Sequence, residues 1–128
     1  MKLHHVAVVS SSRENSDRFY KGLLGLKEIK SAILDKELAG QIFDIACESQ
    51  LILYANDDLT VEVFVPASAF KKVNTFVHLC LEVEDREEFA VKCQAMGVVV
   101  KKIPKGDSEL IFVEDYDGNL FEIKESST

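Results

Sequence analysis

Residues 3–25, LHHVAVVSSSRENSDRFYKGLLG, and residues 76–97, FVHLCLEVEDREEFAVKCQAMG, follow the same plan, and that likeness decides the fold. In each, an apolar-rich run with a histidine near its start gives way to a helix start and closes on a glycine. Leu3–Val9 alternates well enough for a strand, and Ser11 with Glu14 fits the Ser-x-x-Glu capping box of a helix over Arg13–Leu24. Phe19 and Leu23 lie four apart on one face of that helix, and Gly25 stands just past its end, where a left-handed residue is favoured. Phe76–Val83 predicts the matching strand and Asp85 with Glu88 an acidic cap. Arg86–Met96 predicts the matching helix, with Phe89, Cys93 and Met96 on one side and Gly97 beyond.

Three strands are expected after each helix. The first set is a strand near Leu26–Ala32, then Leu51–Ala55 and Leu59–Val65 joined by a tight turn at Asn56-Asp57-Asp58. The second is Val98–Ile103, Leu110–Glu114 and Leu120–Lys124, the last two joined by a turn containing Asp117-Gly118. Both halves read strand-helix-strand-strand-strand, so the chain is an α+β protein of two βαβββ modules in a pseudo-two-fold repeat. Spacing supports the repeat: His5 and His78 are 73 residues apart, Gly25 and Gly97 72, Glu62 and Glu122 60. The first half is longer by 12 residues after its glycine, the length of a short helix predicted over Asp35–Phe43. A segment grafted onto one copy of a symmetric scaffold either covers a substrate or completes the core. The expected organisation is one domain over 1–128, with module one at 1–66, a connector at 67–75 and module two at 76–124.

With 47% apolar and 29% charged residues, the 128-residue chain has the balance of a globular domain. Its longest uncharged stretches include Phe76–Leu81 and Met96–Val100, far short of the roughly 20 apolar residues of a membrane helix. Met1-Lys2-Leu3-His4-His5 does not lead into a secretory apolar core, so a cytoplasmic location and no membrane partner are expected. Fifteen Lys/Arg against 22 Asp/Glu give a net charge of −7, which argues against nucleic acid as a partner. Cys47, Cys80 and Cys93 form no Cys-x-x-Cys pair; the expectation is reduced, buried thiols.

Two of the three histidines, His5 and His78, occupy the matching first strands. Glu62 and Glu122 occupy the matching last strands, inside the apolar runs Thr60-Val61-Glu62-Val63-Phe64 and Leu120-Phe121-Glu122-Ile123. Desolvating a carboxylate costs several kcal/mol, so these glutamates require either water on an open sheet face or a partner. If both modules curl their sheets around a shared cavity, His5, Glu62, His78 and Glu122 converge as two imidazoles and two carboxylates. That set suits nickel, zinc, cobalt, iron or manganese, and two carboxylates balance one divalent ion. His4, one residue out of phase, is expected on the opposite strand face.

The segments His5-Val6-Ala7-Val8-Val9, Phe19-Tyr20-Lys21-Gly22-Leu23-Leu24-Gly25-Leu26, His78-Leu79-Cys80-Leu81-Glu82-Val83 and Asp115-Tyr116-Asp117-Gly118-Asn119-Leu120-Phe121-Glu122-Ile123 resemble the vicinal oxygen chelate superfamily. That group contains glyoxalase I, bleomycin resistance proteins, extradiol dioxygenases, methylmalonyl-CoA epimerase and fosfomycin resistance enzymes. The resemblance spans nearly the whole chain. Its most specific part is the ending, where Tyr116 replaces the proline usual between the two aspartates. It implies a divalent metal held by His5, Glu62, His78 and Glu122, and a homodimer.

Glu62 as the second ligand leans towards the glyoxalase I type, a lyase or isomerase of a small molecule with adjacent oxygens acting through an enediolate. Glu122 is the first choice for the proton-moving base and Glu62 the second. Val9 and Pro66 stand where the short bacterial glyoxalases carry an arginine and an asparagine for glutathione, and neither can pair with a carboxylate or amide of the tripeptide. Lys101, Lys102 and Lys105 form either an anion-holding cluster or a solvated face. The alternatives are a non-catalytic binding protein of the antibiotic-sequestering kind, or an iron dioxygenase.

Overall fold

The computed structural model describes residues 1–69 and 76–127. Most of the expected connector, 70–75, and residue 128 lie outside the described residues. The chain divides into two compact units, Met1–Val73 and Asn74–Thr128.

In the first unit, strand β1 (Val6–Val9) is followed by a helical segment that opens as α1 (Arg13–Ser16) and continues as π-helix over Asp17–Leu23. Strand β2 (Lys27–Leu34), helix α2 (Lys36–Phe43) and strands β3 (Ser49–Ala55) and β4 (Thr60–Pro66) complete it. The second unit holds β5 (Leu79–Val83), α3 (Arg86–Ala95), β6 (Val99–Lys105), β7 (Ser108–Glu114) and β8 (Leu120–Glu125). The sheets are ordered β1-β4-β3-β2 and β5-β8-β7-β6. In each, the first and last strands pair in parallel and the remaining pairs are antiparallel. The α+β reading as two βαβββ modules therefore holds, including the helix α2, which has no counterpart among the described residues of the second unit.

Several boundaries differ from expectation. The capping side chain is Ser12, which accepts from the Asn15 amide at 3.1 Å; Ser11 instead accepts from the Asn15 side chain. The first helix is mostly π rather than α, and Ser16, Phe19, Tyr20 and Leu23 along it are buried. β1 starts at Val6 and β5 at Leu79, so His5 and His78 each stand one residue ahead of their strand. Of the cysteines, only Cys93 is buried; Cys47 is intermediate and Cys80 exposed on an edge strand.

One face of each sheet carries the core. In the first unit Tyr20 stacks on Tyr54 with ring centroids 5.6 Å apart, among fully buried Phe19, Ile52, Val61 and Val63. The Tyr54 hydroxyl donates to Asp17 Oδ1 at 2.7 Å and lies 2.8 Å from Ser16 Oγ, which ties β3 to the π-helical turn. In the second unit Ala90 and Cys93 of α3 are buried with Ile111, Val113, Phe121 and Ile123. Burial pushes the Cys93 thiol up to about 11. Asp115 is buried and accepts from the amides of Asp117 and Asn119 and from the Asn119 side chain. Tyr116, in place of the proline, donates to the Met96 carbonyl at 2.7 Å and so ties the β7–β8 turn to the end of α3.

Gly25 and Gly97 both sit at φ +71°, with no atom within 4 Å of where a Cβ would lie, so only backbone strain penalises a side chain there. Gly40 lies inside α2 with room for a methyl, 3.8 Å from the Ile45 carbonyl. Gly25→Ala and Gly97→Ala are each expected to destabilise by about 1 kcal/mol, and Gly40→Ala to stabilise by up to about 1 kcal/mol. Urea unfolding midpoints check the signs, and equal losses at the two paired glycines check the repeat.

Burial, reinforced by Asp17 and opposed by the hydrogen bond with Ser16, pushes the Tyr54 hydroxyl up to about 12. Because this exceeds the unfolded value of about 10, its contribution is intact below pH 10 and is lost as pH rises towards 12. The wild-type melting temperature should therefore fall more steeply between pH 10 and 12 than that of Tyr54→Phe. Parallel curves would remove Tyr54 as the source.

Candidate functional site

The sheet register explains why each unit sets a histidine against a glutamate. β1 and β4 run in parallel with Val6 opposite Val61 and Ala7 opposite Glu62; β5 and β8 repeat this with Leu79 opposite Phe121 and Cys80 opposite Glu122. Val61, Val63, Phe121 and Ile123 point into the helix-covered core, so alternation places Glu62 and Glu122 on the other face. The preceding residues His5 and His78 reach the same face from the strand starts.

His5 Nε2 lies 3.7 Å from Glu62 Oε1, and His78 Nε2 lies 3.7 Å from Glu122 Oε1. The matching extends to exposure: the histidine side chains are both 37% accessible and the glutamates 16% and 18%. His78 Nδ1 lies 2.8 Å from the Phe76 carbonyl, which can only accept, so Nδ1 donates there and Nε2 is the ring nitrogen turned towards Glu122. The Phe112 ring braces His78 edge-on at 5.8 Å. In the first unit His4 does this job. Its ring meets His5 edge-on at 5.1 Å, and the two Nδ1 atoms are 2.9 Å apart. This corrects the expectation that His4 points away: residues 4 and 5 precede β1, so strand alternation does not govern them.

Each unit thus brings its predicted histidine and glutamate together, and each by itself offers one imidazole nitrogen and one carboxylate. Among the described residues no group of three or more His, Cys, Asp or Glu is arranged to hold a metal ion. The donor chemistry nonetheless fits half of a divalent site. An ion about 2.1 Å from two donors holds them roughly 3.0–3.8 Å apart for angles of 90–130°, a range that includes the separation in each pair.

Three neighbours surround these pairs; of them Cys80 shares the strand parity of His78 and was readable as a possible cavity residue, whereas Ala7 and Phe64 were not singled out. Cys80 lies beside Glu122 in register, and desolvation and then the Glu122 carboxylate raise its thiol. Ala7 and Phe64 flank Glu62 on its own face and open into a cavity of about 360 Å³ walled by α2 residues Ala39 and Phe43 and by Leu34 and Ile45. Phe43 meets Phe64 edge-on at 5.3 Å. Val9 and Pro66 also line this cavity, as do Cys47 and Ser49. Counting two residues along the strand from Glu62 gives Phe64, a signal the sequence did contain. The lysine cluster is spoken for in part, Lys101 by Glu114 at 3.4 Å and Lys102 by Glu87 at 2.7 Å.

The chain is similar to several solved structures over nearly its full length. A glyoxalase family protein from Bacillus cereus is 16% identical with a TM-score of 0.74, covering 98% of this chain and 93% of that one. The fosfomycin resistance protein FosX from Listeria monocytogenes is 18% identical with a TM-score of 0.71, covering 99% and 94%. A mutant of the same FosX, complexed with Mn(II) and 1S,2S-dihydroxypropylphosphonic acid, is 17% identical with a TM-score of 0.70, covering 96% and 88%. At these identities the likeness establishes the fold. No curated protein matches the chain. The sequence profile described as Glyoxalase/Bleomycin resistance protein/Dioxygenase superfamily matches residues 2–123, and the chain belongs to that superfamily.

Proposed function

We propose that the protein is a metal-dependent lyase or isomerase of the glyoxalase type, in which His5, Glu62, His78 and Glu122 together hold one divalent ion. The substrate is a small molecule with two adjacent oxygens. What carries the reading is the His–Glu pair at 3.7 Å, repeated in both units with matching exposure. The Mn(II) of the FosX complex supports a divalent metal, drawn from nickel, zinc, cobalt, iron or manganese. Whether the four side chains come from one chain or are exchanged across a homodimer, the ratio is one ion per chain. Three free cysteines suit a reducing, cytoplasmic setting.

When bound, the ion supplies Lewis acidity that stabilises negative charge developing on the substrate's adjacent oxygens. The protein's own groups do the rest. Glu122 Oε1 accepts a proton from one carbon and returns it to its neighbour, with Glu62 in the equivalent position as the second choice. The Phe76 carbonyl, by holding the Nδ1 proton of His78, keeps Nε2 available as a ligand.

A non-catalytic binding protein is the second reading, favoured by the apolar cavity beside Glu62, which can hold a ligand without chemistry. An iron dioxygenase is the third, and oxygen consumption with a catechol would favour it.

Metal analysis after reconstitution separates the first two readings. One ion per chain is expected, with His5→Ala and His78→Ala each lowering affinity for that same ion at least tenfold. Two ions per chain, each lost with one histidine, would mean independent half-sites; no metal would leave the binding protein. Glu122→Gln is expected to cut isomerase turnover at least about 100-fold with an unchanged melting temperature. Full activity in that variant moves the base to Glu62.

A further inference from the structure

The cavity under α2 lies in the first unit alone, and its lining is chemically one-sided. Ala7, Val8, Val9, Leu34, Ala39, Phe43, Ile45, Phe64 and Pro66 present carbon, Ser49 and Cys47 are the polar contributors, and no charged side chain lines it. A volume of about 360 Å³ is at the lower end of small-molecule pockets and suits a ring or branched alkyl group. The cavity lies on the same sheet face as Glu62, because Ala7 is the register partner of Glu62 and Phe64 follows Glu62 on that face. Its outer wall is α2, which has no counterpart among the described residues of the second unit. The Asp35 carboxylate, accepting from the Leu38 amide at 2.8 Å, fixes where that helix begins, and Asp44 at φ +57° ends it.

From this geometry we infer that the protein selects substrates bearing an uncharged apolar group, seated between α2 and β1/β4 while the adjacent oxygens lie at Glu62. A phosphonate or a peptide-like anionic tail has no partner in that lining, and placing either there would cost several kcal/mol of desolvation. Serving a reaction at Glu62 rests on the metal-site reading; the cavity's preference for apolar groups does not.

The test keeps the two apart. In the metal-free protein, 1-naphthol fluorescence is expected to report saturable binding at one site per chain, lost in Val9→Trp, which fills the cavity, and weakened severalfold in Phe43→Ala, which removes part of its wall. Val9 and Phe43 are both exposed, so neither change threatens the fold. In the Ni(II)-loaded protein, calorimetry is expected to show benzohydroxamate binding at least tenfold tighter than acetohydroxamate, a ratio that collapses towards one in Val9→Trp. Absence of stoichiometric naphthol binding overturns the cavity outright. Equal hydroxamate affinities with naphthol bound overturn its service to the site. If naphthol binds and neither hydroxamate does, the metal reading fails, and the link to it is overturned with it.

Discussion

Parallel pairing of the first strand with the last is the constraint on which each unit rests. In each βαβββ unit the helix carries the chain from the first strand across to the far edge of the sheet, and the antiparallel run of the next three strands brings the last one back beside the first. The register then decides chemistry. With Ala7 opposite Glu62 and Cys80 opposite Glu122, the glutamates face away from the core while Val61, Val63, Phe121 and Ile123 fill it. A slip of one residue would turn a carboxylate into each core and a valine, phenylalanine or isoleucine out of it. The cost of burying a carboxylate without a partner is several kcal/mol, comparable to the whole stability of many domains. Fold specificity and site placement are therefore one requirement.

The histidines add a second layer. Standing just ahead of their strands, they lie outside the paired register, and each unit supplies a different brace. His78 is fixed by the Phe76 carbonyl and the Phe112 edge, His5 by the ring of His4. Two different supports reach the same 3.7 Å separation.

Much of this was legible in the residues. The repeat could be read because capping residue, helix face and closing glycine recur at nearly constant spacing, and Gly25 and Gly97 indeed share one φ. The four polar residues stood out because each sits in or beside an apolar run. What failed were local details set by tertiary contact. The π-helical winding of Asp17–Leu23 accompanies a long-range tie, the Tyr54 hydroxyl meeting Asp17 and Ser16, which no local propensity encodes. The true cap, Ser12, sits in a run of three serines whose candidates differ only in backbone angle. Cys80 was expected among buried thiols, yet edge-strand β5 leaves it exposed.

The departure from symmetry is the more informative half of the structure. Two equivalent His–Glu pairs would by themselves present equivalent surroundings, and α2 breaks that equivalence on one side only. Its Ala39 is buried and its Phe43 meets Phe64, so it completes a wall and encloses space at once. Of the two roles expected for this segment, its packing into the core is what the structure shows, and the same eight-residue helix encloses a cavity beside it. Small Ala7 and Ala39 on facing walls keep that space open. Larger side chains at either position would convert the cavity to core, so the sidedness of the site resides in two missing side-chain volumes as much as in the helix that frames them.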